Sequence, residues 1–135
     1  MRQHAHGLDH VRFAGWLDSA GLAAELECAT ALLVPSVLSA GGDGEGLPSI
    51  AMEAMARAVA VIASDQSGLE RIVTESGAGL VVPAGDPARL ADALHLMMDT
   101  ALRGPMADAA QELVCRSYNA PALSARLESR LLSLL

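Results

Sequence analysis

The residues best suited to chemistry lie in one run, Gly41-Gly42-Asp43-Gly44-Glu45-Gly46-Leu47-Pro48, continued by Ser49-Ile50-Ala51-Met52-Glu53-Ala54-Met55-Ala56. A glycine-rich loop feeds an apolar helix, with Glu45 near the loop's end and Glu53 inside the helix. Glycines let backbone amides approach a ligand closely, and Pro48 suits a first helical position. The unpaired amides and positive dipole end of such a helix favour a phosphate. Glu45 and Glu53 add two charged acceptors for sugar hydroxyls. Loop, helix start and carboxylates together point to a site for a nucleotide sugar.

Alternating strands and helices must hold that run in place. Four short apolar segments read as strands: Val11-Arg12-Phe13-Ala14-Gly15, Ala31-Leu32-Leu33-Val34-Pro35, Val59-Ala60-Val61-Ile62-Ala63-Ser64 and Leu80-Val81-Val82. Continuous apolar runs closed by turn residues are the mark of buried parallel strands. The spacing predicts helices from Leu22 to Thr30, from about Pro48 to Arg57 and from Leu69 to Thr74. Asp86 is the predicted cap of a helix begun at Pro87, with Leu90, Ala93, Leu94 and Met97 on one face. Gly104-Pro105 is predicted to break it. A further helix is expected from Met106 to Arg116, and a last one from Pro121 to Leu134. The fold class is therefore α/β, with a partial Rossmann-like parallel sheet of about four strands and C-terminal helices.

Composition narrows the partners. The 135 residues fit one domain, 1–135, with a formal net charge of −7. That acidity argues against general nucleic-acid binding. The cations are nine arginines, with no lysine. No segment approaches the roughly 20 continuous apolar residues of a membrane span, and the N-terminus lacks the apolar core of a secretory signal. A cytoplasmic location follows as an expectation. Cys28 and Cys115 read as buried, reduced thiols. His4, His6 and His10 have no companion set for a metal, His95 reads as half-buried, and no metal site is expected.

With these elements in order, the chain resembles the C-terminal, donor-binding domain of retaining family-4 glycosyltransferases, which have the GT-B fold. Val11-Arg12-Phe13-Ala14-Gly15-Trp16 is similar to the family's strand and base-side loop, and Leu33-Val34-Pro35-Ser36 to its strand ending in Pro-Ser. Glu45-Gly46-Leu47-Pro48 with Glu53-Ala54-Met55-Ala56 matches its two glutamates separated by seven residues. Val61-Ile62-Ala63-Ser64, Ser67-Gly68, Gly79-Leu80-Val81-Val82-Pro83 and Gly85-Asp86-Pro87 follow at family-like distances.

The resemblance implies a division of labour. Glu53 would accept hydrogen bonds from the ribose hydroxyls. Glu45 would contact the donor sugar at the catalytic position, with Gly46, Leu47 and Pro48 presenting backbone to sugar and diphosphate. Trp16 would border the nucleobase, and Ser67-Gly68 would lie near the donor phosphates. The donor is a nucleotide diphosphate sugar acting as substrate, with no cofactor and no metal. Read alone, Glu53 is also a solvated helix carboxylate, Trp16 a packing residue at a strand end, and Ser67-Gly68 a turn.

The chain departs from the family's pattern in places. Ala58 and Ala60 stand where the family has glycine and proline, which strains the helix end if Ala58 must turn left-handed. Arg71 stands where the family has a glutamate, with Glu70 one position early. The family's acceptor-binding domain, first donor-domain strands and arginine-lysine pair have no counterpart in the 135 residues. The expectation is therefore a truncated hexosyltransferase domain, partnered by a missing N-terminal domain or a second chain. The alternatives are a non-catalytic module pairing with a separate chain that carries the acceptor half, or a decayed, inactive fragment.

Overall fold

A computed structural model of the chain describes residues 7–37 and 48–132. Three parallel strands, β1 (Ala31–Val34), β2 (Ala60–Ser64) and β3 (Gly79–Val82), lie side by side in sequence order. Helices α1 (Ser19–Glu27), α2 (Ser49–Ala56), α3 (Glu70–Ser76) and α4 (Pro87–Met97) surround the strands in the chain. Helix α5 (Thr100–Leu113), a π-helical segment (Val114–Tyr118) and α6 (Ala120–Leu132) complete it. The expected parallel α/β architecture with C-terminal helices is thus present.

The apolar strands make sense as a sheet covered on both faces. In the central strand β2 every residue is buried, and its side chains alternate between two cores. Val61 and Ala63 pack with Val34, Ala51, Met55, Leu69 and Val73, beneath α2 and α3. Ala60 and Ile62 pack with Val82, Ala93 and Met97, beneath α4. Leu26 of α1 closes a third cluster with Ala54 and Val59. Gly79 lets β3 approach β2: a Cβ there would lie 1.8 Å from the carbonyl oxygen of Val61.

Aspartates set the starts of α1, α4 and α5. The Asp18 side chain accepts from the Gly21 amide at 2.8 Å, Asp86 from Ala88 and Arg89 at 3.0 Å, and Asp99 from Ala101 at 2.8 Å. Each satisfies amides that have no partner within the helix.

Several sequence expectations are corrected. Val11–Gly15 is not a strand; it runs without regular structure, and Phe13 is 48% exposed. A strand requires a neighbouring strand to pair with, and the described sheet of β1, β2 and β3 does not include this stretch. Helix α1 begins at Ser19 rather than Leu22, because Asp18 caps it. Gly104-Pro105 does not break the chain but lies inside α5. The Asp99 cap starts that helix well before the proline, whose missing N–H forfeits only one helical bond. Arg103 Nη1, donating to the Met97 carbonyl at 2.7 Å, fastens the same turn. Cys28, just past α1, and Cys115, in the π-helical segment, are both exposed, as is His95 on the outer side of α4. Among the described residues no helix is long and apolar enough to cross a membrane.

Candidate functional site

In a parallel sheet the strands' carboxyl ends and the following helix starts converge on one edge, where ligands bind. Side chains lace that edge together. The Ser64 hydroxyl, at the end of β2, donates to the Ser36 carbonyl just beyond β1. Asp65 Oδ1 accepts from the Ala84 amide beyond β3 at 2.9 Å, while its own amide donates to the Val82 carbonyl at 3.0 Å. From the sequence Ser64 reads only as a strand end and Asp65 only as part of the following turn; the signal for more was two polar side chains closing an apolar strand.

The predicted site residues divide into three groups. Glu45, Gly46 and Leu47 lie outside the described residues. Pro48 and Glu53 belong to α2. Pro48 is the residue before the first helical turn, at φ −65° and ψ 121°, and among the described residues no side chain caps that turn. Ala51, Ala54 and Met55 bury one side of α2 and anchor it to the sheet. Glu53 lies on another side, half-buried, and its carbonyl accepts from Arg57 Nη1 at 3.0 Å. Helix α2 therefore differs from α1, α4 and α5: its cap residue is Pro48 rather than an aspartate.

Ser67 and Gly68 shape the turn between β2 and α3. Ser67 is fully buried; its hydroxyl donates to the Ser64 carbonyl at 2.7 Å and accepts from the Leu69 amide at 3.2 Å. Gly68 is left-handed, at φ 73°. Trp16 follows the left-handed Gly15 and is 97% exposed, so the packing role of a strand-end tryptophan is not realised.

On the opposite face of the sheet a cavity of about 180 Å³ opens between the ends of β1, β2 and β3 and the start of α4. Val37, Val82 and Leu90 make it largely apolar, with Ser64 and Asp86 at its polar points. None of the predicted site residues among those described lines it. One residue that sequence reading noted only as a displaced family glutamate stands out: Glu70, first in α3, holds its Oε2 away from solvent without a hydrogen-bond partner.

A family model for glycosyl transferases group 1 matches residues 1–100, which include β1, β2, β3, α2 and the glycine-rich run. The chain belongs to that family. Among its relatives is a phosphatidyl-myo-inositol mannosyltransferase of Mycobacterium leprae, 39% identical over 118 residues, which cover 86% of this chain and 30% of the relative. An Escherichia coli protein named for glycosyl transfer in colanic acid biosynthesis is 34% identical over 128 residues, covering 93% and 32% respectively. Among solved structures, a sucrose-phosphate synthase from Thermosynechococcus elongatus superposes with a TM-score of 0.79 at 30% identity. That match covers 98% of this chain and 32% of the synthase, a glycosyltransferase of the GT-B fold. The group 1 chain thus spans about a third of the length of the proteins it matches.

Proposed function

We propose that this chain holds a nucleotide diphosphate sugar, and that the complete transferase moves a hexosyl group from it with retention of configuration. The start of α2 carries this reading. It lies at the carboxyl edge of the sheet, directly after the glycine-rich run, and among the described residues no side chain caps its first-turn amides. Such a start accepts the diphosphate, whereas an aspartate cap would repel it.

The remaining roles follow the family pattern. Glu53 takes the ribose hydroxyls and Glu45 the donor sugar, with Gly46, Leu47 and Pro48 along the sugar and diphosphate. Trp16 borders the base, and Ser67-Gly68 shapes the phosphate side. Helix amides and a cationic partner outside this chain would stabilise the leaving diphosphate without a metal. The mannosyltransferase named among the relatives supports a hexosyl donor.

Calorimetric titration of the chain with GDP and UDP tests the reading. The expected result is binding to at least one of them, weakened about tenfold or more in Glu53→Ala, as loss of a hydrogen bond to a charged group implies. If wild type and Glu53→Ala respond equally, or neither responds, the donor-site reading of this chain fails.

The outer edge of β1 has no strand partner among the described residues, and it favours a second reading, a module completed by a separate chain. Intact mass of the native product from its source cells separates the two. A species roughly three times larger than the 13.9 kDa chain means a piece of a two-domain transferase. A species at the chain's own mass means a module whose open edge another chain covers.

A further inference from the structure

We infer that Glu70 is a further binding residue of this site, accepting a hydrogen bond from a hydroxyl of the donor's hexosyl group; the inference rests on the donor-site reading above. Glu70 Oε2 is shut off from solvent and has no hydrogen-bond partner. None of the ion pairs among the described residues includes it: Arg12 pairs with Glu25, Arg71 with Glu75, Arg89 with Asp92 and Arg116 with Glu112. A carboxylate oxygen kept from water without a donor works against folding. Such a group persists where something other than the chain supplies the donor.

Its place in the fold says what that is. Glu70 opens α3 at the carboxyl end of β2, after a turn that the Ser67 hydroxyl holds through Ser64 and Leu69. Leu69, fully buried beside it, shares a cluster with Val34 at the end of β1 and Ala51 in the first turn of α2. Glu70 is thus on the α2–α3 face of the sheet, which also bears Glu53, and away from the apolar cavity beneath α4. The residue as a whole is half-buried, so part of its side chain lies at the surface of that face. An ionised carboxylate only accepts hydrogen bonds. It repels a diphosphate and selects hydroxyl groups, and with the ribose assigned to Glu53 it would join Glu45 on those of the hexosyl group.

The test compares each diphosphate with its sugar conjugate: GDP against GDP-mannose, and UDP against UDP-glucose, on wild type, Glu70→Gln and Glu70→Ala. Wild type is expected to bind one conjugate more tightly than its diphosphate. Glu70→Ala should lower that preference about tenfold and Glu70→Gln should lower it less, neither weakening affinity for the diphosphate. Neither variant should lower the melting temperature of the free chain, since no bond within it is lost. An unchanged preference overturns the inference while the donor-site reading stands. A melting temperature several degrees lower in both variants also overturns it, by making Glu70 a structural acceptor. If wild type binds neither diphosphate nor conjugate, both readings fall together.

Discussion

The amide of Val59 donates to the carbonyl of Ala54 at 3.0 Å across the end of α2, and Ala58 between them is forced into the left-handed conformation, at φ 55°. The Ala58 amide closes the inner bond, to the Met55 carbonyl at 3.0 Å. Val59 and Ala54 then pack together beneath Leu26. This is a Schellman ending, which normally takes glycine at the left-handed position. Helix α3 ends in the usual way, with Gly77 at φ 71°. The helix that carries Glu53 is therefore ended by a strained alanine, and the strain that the sequence comparison raised at Ala58 is present.

Replacing that alanine relieves the strain. An L-residue in the left-handed region costs about 1–2 kcal/mol, and glycine gives back about half of the gain through its freer unfolded chain. Ala58→Gly is expected to stabilise the chain by about 0.5–1 kcal/mol, read as a higher urea midpoint at unchanged slope. A midpoint equal to or below that of wild type would show that the helix end is not strained.

The opposite result is expected at Gly79. A methyl group there would meet the Val61 carbonyl oxygen at 1.8 Å, and backbone cannot yield as a flexible side chain does. Gly79→Ala should destabilise by about 2 kcal/mol or more, as overpacking in a close-packed interior does. Ala at Gly104, where a Cβ would meet nothing within 4 Å, is the control and should be neutral or stabilising.

Ser67 gives a way to separate shaping the site from touching the ligand. Its hydroxyl is used on both sides within the turn. Ser67→Ala leaves the Leu69 amide without its acceptor and should cost about 1–3 kcal/mol of stability. Thermal unfolding reads that cost. A Ser67→Ala chain as stable as wild type would mean that the hydroxyl does not hold the turn.

Trp16 is the only tryptophan in the chain, and it reports on the base-side loop directly. Being 97% exposed, it should emit as a fully hydrated indole, and Trp16→Ala should change stability by less than about 0.5 kcal/mol. If the loop borders the nucleobase, saturating GDP or UDP shifts or quenches that emission. Calorimetric binding with no change in emission would place the base elsewhere.

What was legible in the sequence, and what was not, divides by the reach of the forces involved. Ala31–Val34, Ala60–Ser64 and Gly79–Val82 could be read as strands because an apolar run between turn residues is a local pattern. Asp86 before Pro87 marked a helix start for the same reason, since a cap acts on amides two or three residues away. The alanine in a glycine's place at Ala58 was likewise legible in the sequence itself. Tertiary structure decided the rest. Val11–Gly15 has strand-like residues but lies outside the sheet formed among the described residues, and pairing depends on residues far along the chain. Gly104-Pro105 stayed helical because Asp99 and Arg103 hold the turn before it. Cys28 and Cys115 are exposed, and Glu70 Oε2 is enclosed, because burial depends on which elements close over a residue, and no local pattern contains that information.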